Sequence, residues 1–202
     1  MTSTKQIIAF AALAACLSCG SATTETAAQP AATYHSPEIG WTMRLPAGWD
    51  VMSESEVGQL TGVGLNAFED ANGVEVDASG LKPLVGFRQD AFNNFLSTIE
   101  KLDASDVENY TAFQATLKAM LYGTFAAQGI RADTSSTAET VQGLDFDVFN
   151  TTIHAPDGAV IIRQAMYSRL INGYDFGATL SYNNEAARDT MLAAWRGSTF
   201  TR

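Results

Sequence analysis

Residues 144–182, LDFDVFNTTIHAPDGAVIIRQAMYSRLINGYDFGATLSY, decide the fold of this chain. Two turn signals, Pro156-Asp157-Gly158 and Asn172-Gly173, divide the stretch into three segments. Glycine adopts positive φ without steric cost, proline presets φ, and Asn-Gly suits the type I′ turn whose twist matches that of the flanking strands. The stretch therefore predicts a meander of three antiparallel strands.

Side chains within this meander alternate between two faces, which is the pattern of β-strands. The middle segment places on one face Ile162, Gln164, Met166, Ser168 and Leu170. The last segment places on one face Tyr174, Phe176, Ala178, Leu180 and Tyr182, and on the reverse Asp175, Gly177, Thr179 and Ser181. The alternation predicts a half-buried sheet.

Size and charge narrow the class of protein. The chain has 202 residues, of which 46% are hydrophobic and 17% charged, and this suits one domain with a sizeable core. Twelve basic against 22 acidic residues give a formal net charge of -10, and the basic residues are scattered. Nucleic-acid binding is therefore not predicted, because neutralising phosphates requires a concentrated basic face.

The N-terminus has the pattern of an export signal. Lys5 precedes the apolar run Ile7–Ala15, which is too short to span a bilayer and is followed by small residues and cysteine. Leu13-Ala14-Ala15-Cys16 resembles a bacterial lipobox, so residues 1–15 are predicted to be a signal peptide and Cys16 the lipidated residue. Cys19 is the alternative, although the residue three positions before it is a cysteine rather than an aliphatic residue.

The segment that follows has no large apolar side chains that could form a core. Residues 16–33 are predicted to be the lipidated N-terminus and a flexible tether, because SATTETAAQPAA is small and polar. Residues 34–202 are predicted to form a single α/β sandwich domain. Cys16-Leu17-Ser18-Cys19 also spells C-x-x-C, but a redox pair would need to open a helix within a folded domain, so no redox role is predicted.

The first part of the domain is predicted to form two hairpins around a helix. Gly40–Val51 contains two short strands about Pro46-Ala47-Gly48, and its inward side chains are predicted to be Trp41, Met43, Leu45, Trp49 and Val51. The helix runs from Glu54 to Ala71 and begins with a capping box of Ser53 and Glu56. The second hairpin, residues 81–87 and 95–102, offers to the core Phe87, Phe92 and Phe95.

The second part is predicted to hold a long helix, an edge strand and a short terminal helix. The long helix begins at Ser105, with a capping box to Glu108, and stops at Gly129. Residues 130–141 form an edge strand that leads into the meander. The terminal helix spans 184–196, with a cap at Asn183 or Asn184 and an inner face of Met191, Leu192 and Trp195.

Two stretches resemble the PsbP-like family of extracytoplasmic α/β domains: GWTMRLPAGWDV at 40–51 and GYDFGATLSYNNEAARDTMLAAWRGSTF at 173–200. The resemblance covers about Tyr34 to Phe200. It implies an α+β fold in which an antiparallel β-sheet is sandwiched by helices, an α/β/α arrangement. It also implies an accessory or binding role, and no functional residue is carried over because no ligand motif matches.

Four further patterns fall short of a functional motif. Gly62-Val63-Gly64 matches a dinucleotide-binding turn in letters but falls within the first helix. The acidic residues 70–77 lack the spacing of a calcium loop, and His35 and His154 are not spaced as metal ligands. Asp145 and Asp147 alternate as on a solvent-facing strand. No catalytic residue, cofactor or metal ligand is therefore predicted.

The leading functional hypothesis is a membrane-anchored bacterial lipoprotein that acts as a non-catalytic binding or assembly module of the cell envelope. Its anchor is the acylated cysteine, which places it on the outer membrane or the periplasmic face, and its partner is an envelope protein. Two alternatives remain: a hydrolase-like envelope enzyme with a dispersed active site, and a carrier of a small ligand or lipid.

Overall fold

The computed structural model describes residues 32–201. Cys16, Cys19 and the predicted signal peptide therefore lie outside the described residues, as does all but the end of the predicted tether. The helices are α1 (Glu54–Asn72), α2 (Ala104–Glu108), α3 (Tyr110–Ala127) and α4 (Glu185–Arg196). The strands are β1 (Thr33–Ser36), β2 (Trp41–Arg44), β3 (Asp50–Met52), β4 (Leu81–Arg88), β5 (Asn94–Lys101), β6 (Arg131–Val141), β7 (Leu144–His154), β8 (Val160–Ile171), β9 (Tyr174–Tyr182) and β10 (Thr199–Phe200).

The strands form two sheets. The large sheet has seven strands in the order β3-β4-β5-β9-β8-β7-β6, and its neighbouring strands pair antiparallel. The small sheet has the order β1-β2-β10. The predicted meander is confirmed as β7, β8 and β9, and the predicted edge strand as β6.

Turn chemistry explains the registers of the meander. Asn172 and Gly173 both have positive φ, at 53° and 76°, as a type I′ turn requires. Gln142 and Gly143 adopt the same combination, at 50° and 78°, between β6 and β7. This second turn was not predicted from the sequence, because glutamine rarely takes positive φ and gives no turn signal of its own.

Helices cover both faces of the large sheet. One face carries α1 and α3, which pack on each other and on the sheet. The other face carries α4 together with the small sheet. The predicted α+β class, an antiparallel sheet between helices, is confirmed. The half-buried meander predicted from the alternation was wrong for β9, which is buried on both faces: Asp175, Thr179 and Ser181 are at most 6% exposed. On β7 the polar residues Asp145 and Asp147 are exposed.

The larger core lies between the sheet and α4. Trp41 and Trp195 are fully buried there, with their ring centroids 6.2 Å apart. Phe95 and Phe176 pack against the same tryptophans. A second core between the sheet and helices α1 and α3 consists of Leu65, Phe68, Leu117, Leu121, Phe149 and Met166.

Three local predictions were wrong. β2 and β3 do not form a hairpin, because β2 joins the small sheet and β3 the edge of the large one. Val51 and Phe92 were predicted to be inward, but they are 43% and 37% exposed. The helix cap predicted at Ser105 is instead Asp103, and the helix is interrupted at Asn109 between α2 and α3.

Candidate functional site

A cleft lies where β7 and β8 separate. The ladder between these strands ends at the pair Asp147 and Ser168. Beyond that pair, β7 continues to Leu144 beside β6, whereas β8 continues to Ile171 beside β9. A guanidinium nitrogen of Arg169 donates a hydrogen bond to the carbonyl oxygen of Asp145 and so bridges the gap between the strands.

The cleft has a volume of about 350 Å³. It is lined by Tyr110, Ala138, Asp145, Phe146, Asp147, Ser168, Arg169 and Leu170. Tyr110 is the first residue of α3, so the N-terminal end of that helix closes one side. The site is therefore built from one helix end and three strands of the sheet.

The two acidic side chains at the cleft each have a partner within the protein. Oδ1 of Asp145 accepts a hydrogen bond from the hydroxyl of Thr140 at 2.6 Å. Oδ1 of Asp147 lies 4.0 Å from Nζ of Lys118 on α3. The predicted solvent-facing position of both aspartates is confirmed, since both residues are exposed.

A buried acidic pair adjoins the cleft. Asp175 on β9 and Glu100 on β5 are direct partners in the antiparallel register, and they are 0% and 4% exposed. The hydroxyl of Tyr110 donates to Oδ1 of Asp175 at 2.7 Å, and Nε2 of Gln114 lies 3.4 Å from Oδ2. Tyr110 thus connects the cleft surface with the buried carboxyls.

Burial changes the proton affinity of both acids. Desolvation, and then the negative charge of Asp175, raise the pKa of Glu100 to about 8. Desolvation raises the pKa of Asp175 to about 7, against an opposing effect of the Tyr110 hydrogen bond. Within residues 32–201 Oε2 of Glu100 has no hydrogen-bond partner, which agrees with a carboxyl that stays protonated over much of the neutral range.

The two histidines lie far from each other in the structure and away from the cleft residues. Nε2 of His154 lies 2.8 Å from a carboxylate oxygen of Asp133, on β6 beside the end of β7. His35 is on the small sheet, where its Nδ1 lies 2.9 Å from the hydroxyl oxygen of Thr42. Among the described residues no group of three or more His, Cys, Asp or Glu side chains is arranged to hold a metal ion.

The remaining motifs have structural roles. Gly62 and Gly64 lie inside α1, away from its N-terminus, so they do not form a phosphate-binding turn. Asn72, from the acidic segment, donates to the hydroxyl of Thr124 at 2.8 Å and links α1 to α3. Gly73 then ends α1 with a left-handed cap.

The buried acids were missed because the sequence carries no direct signal for them. Asp175 occupies a polar position of an alternating strand, which looks the same in a solvent-facing strand. Only the packing of α3 across that face distinguishes the two cases. Tyr110 stands at the helical spacing of the apolar residues of α3, and this spacing does not indicate that its hydroxyl contacts an acid.

Comparison with known proteins identifies the fold. No protein-family model and no curated protein match this sequence. Twelve solved chains match the structure. Among them is cyanobacterial PsbP (CyanoP) from Synechocystis sp. PCC 6803, with a TM-score of 0.52 and 16% identity over 91% of this chain and 98% of that chain. The chain therefore has the PsbP-like fold, as the resemblance of its two end stretches implied.

None of the four helices in residues 32–201 is both long and apolar enough to cross a membrane.

Proposed function

We propose that this protein is a lipid-anchored, extracytoplasmic binding module that docks a protein partner at the cleft between β7 and β8 without catalysis. The observation that carries the docking proposal is the cleft itself. It is open to a partner, and its acidic groups already have internal partners in Thr140 and Lys118. Such a site can bind a partner through its concave shape and through apolar contacts with Ala138 and Leu170. Its acidic side chains are not free to act as reactive groups.

The anchor part of the proposal is supported by sequence. A basic residue, a short apolar run and Leu13-Ala14-Ala15-Cys16 have the order of a lipoprotein signal. Acyl chains stabilise membrane attachment by about 0.8 kcal/mol per buried CH₂, and stable anchoring takes more than one chain. The PsbP-like fold agrees with the proposal, since the resemblance implied accessory or binding proteins.

The anchor is tested in a bacterial host with the full chain and two matched variants, Cys16→Ala and Cys19→Ala. We expect the wild type and Cys19→Ala to sediment with membranes and to carry diacylglyceryl and acyl groups in intact mass spectrometry. Cys16→Ala is expected to lose both. Loss of lipid in Cys19→Ala alone would move the anchor to Cys19, and a lipid-free wild type would refute the anchor.

The docking site is tested by photo-crosslinking in the same cells. A photoreactive residue at Leu170 probes the cleft, and one at the exposed Tyr122 of α3 is the control. We expect Leu170 to capture one envelope protein reproducibly and Tyr122 to capture none. Docking at this cleft would be contradicted if both positions captured the same protein equally. It would also be contradicted if neither position captured a protein while the wild type was shown to be on the membrane.

One observation favours an envelope enzyme as the second candidate. Asp175 and Glu100 have raised pKa values beside Tyr110 at a cleft, and such perturbed acids are common in active sites. The purified chain would be screened against ester, amide and glycoside substrates. If the wild type hydrolyses one of these substrates and a folded Asp175→Asn variant does not, the result would favour the enzyme over the docking module.

A further inference from the structure

The two edges of the large sheet differ greatly in length. β3 forms one edge with three residues, whereas β6 forms the other with eleven. β6 pairs with β7 over its whole length without a shift in register, and no strand lies on its outer side within residues 32–201. Natural proteins usually protect such an edge with a bulge, a proline or charged side chains, above all lysine. β6 has no bulge, lysine or proline, and its middle, residues 134–138, has no charged side chain.

The side chains of β6 suit strand pairing. Its centre is Thr134-Ser135-Ser136-Thr137, of which the last three residues are exposed. These side chains are small, and threonine favours strands, so a second strand can approach closely. Charges stand toward the ends, at Arg131, Asp133 and Glu139.

We propose that β6 pairs antiparallel with β6 of a second copy of this chain, in the register that places Ser135 opposite Ser135 of that copy. The two large sheets then join into one continuous sheet about a twofold axis. The edge is self-complementary, as a twofold interface requires. The pairing requires neither the lipid anchor nor a partner in the cleft, although Ala138 of β6 also lines the cleft.

The charged side chains of β6 favour the register centred on Ser135 over the register centred on Ser136. A twofold axis perpendicular to the sheet keeps the faces matched, so a residue of β6 always stands opposite one on the same face. Centring on Ser136 overlaps the whole strand but sets Asp133 opposite Glu139 twice. Centring on Ser135 overlaps residues 131–139 and sets Arg131 opposite Glu139 twice. Like charges in direct opposition destabilise a strand pair and opposite charges stabilise it, which favours the second register.

Both partners of this charge pair are available. Arg131 is exposed and makes no ion pair within the described residues 32–201. Glu139 lies on the same face as Arg131 and accepts a hydrogen bond from Nε of Arg196 at 2.7 Å. That bond lowers the pKa of Glu139, so the carboxylate is ionised at neutral pH. Arg131 of the second copy then adds a further cation to a carboxylate that is partly exposed.

The first test is a charge swap followed by sedimentation velocity across a concentration series, with the full chain carrying Cys16→Ala and Cys19→Ala so that no acyl group drives association. Arg131→Glu is expected to weaken self-association by about tenfold or more, because it opposes Glu139 with a like charge twice. The double variant Arg131→Glu with Glu139→Arg is expected to restore it. Arg44→Glu, on an exposed residue of the small sheet, carries the same charge change as Arg131→Glu and is expected to leave association unchanged.

A second pair of variants avoids Glu139, whose contacts with Arg196 and Tyr167 also contribute to the fold. Ser135→Lys places two ammonium groups opposite each other on the axis and is expected to give a monomer. Thr137→Lys carries the same charge change on the same exposed face, but stands opposite Asp133 and is expected to retain the dimer. A wild type that stays monomeric throughout, or a dimer that responds alike to both lysines, would overturn the proposal.

Discussion

Glu100 and Asp175 lie directly opposite each other on β5 and β9, and both carboxyls are buried without a cationic partner among the described residues. Two like charges in direct opposition on neighbouring strands destabilise a sheet when both are ionised. The pair is tolerated because each carboxyl binds a proton more tightly in the folded chain than in the unfolded one. Folding is therefore linked to pH through these two residues.

Stability is expected to fall as pH rises from about 4 to about 8. The folded-state pKa values, about 8 for Glu100 and about 7 for Asp175, exceed the ordinary values of 4.5 and 3.8. The folded state therefore holds more protons over this window, and each extra proton lowers the unfolding free energy by up to about 1.4 kcal/mol per pH unit. Glu100→Gln should flatten the dependence in urea unfolding, whereas Glu75→Gln, at an exposed position, should not. A wild type more stable at about pH 8 than at about pH 5 would contradict the linkage.

Tyr110→Phe is expected to destabilise the fold by about 1–3 kcal/mol at a pH where Asp175 is ionised. The variant removes the hydroxyl that donates to Asp175 at 2.7 Å, and hydrogen bonds to charged partners are the stronger ones. The loss should be smaller at about pH 5, where Asp175 is protonated. Urea unfolding at both pH values measures the difference, and Tyr122→Phe, at a residue 56% exposed, is the control. An equal loss at both pH values would show that Tyr110 acts by packing alone.

Gly86→Ala is expected to destabilise the fold by about 1–3 kcal/mol through overpacking. A Cβ at Gly86 would lie 2.7 Å from Cγ2 of Val57, the buried residue with which α1 packs on β4. The same substitution should cost less in a Val57→Ala background, which a double-mutant cycle in thermal unfolding will measure. Gly62→Ala is the matched control and should be neutral or stabilising, because a Cβ there would have no atom within 4 Å apart from the adjacent residues and the backbone of α1 itself. Additive effects would mean that Val57 does not limit the space at Gly86.

Asp103→Ala is expected to cost about 0.5–2 kcal/mol, and Ser105→Ala less. Oδ1 of Asp103 accepts from the backbone N–H groups of Ser105 and Asp106 at 2.9 and 3.0 Å, so it satisfies two free donors at the start of α2. Chemical denaturation of the two variants compares the caps directly. A larger loss of stability in Ser105→Ala than in Asp103→Ala would show that Ser105 is the cap, as the sequence alone predicted.

The N-terminal caps show which features of a helix end can be predicted from local sequence. Ser53 with Glu56 forms the predicted capping box, because both partners lie within one helical turn, and Oε1 of Glu56 also accepts a hydrogen bond from Arg88. Ser105 with Glu108 has the same spacing, yet Asp103 caps the helix. The aspartate stands two residues earlier with a carboxylate that two N–H groups reach. Asp103 and Ser105 are both suitable N-cap residues, and their spacing in the sequence does not show which of them caps the helix.

The sequence by itself determined the α+β fold, the meander and its Asn172-Gly173 turn, the edge strand β6 and the helix from Glu54, because these follow from residue spacing within one element. Only the tertiary structure decided that β2 and β3 join different sheets and that Asp175 is buried. It also decided that β7 and β8 part to open the cleft. These features depend on which elements pack together over long separations, and a strand with alternating polar residues looks the same whether water or a helix covers its polar face.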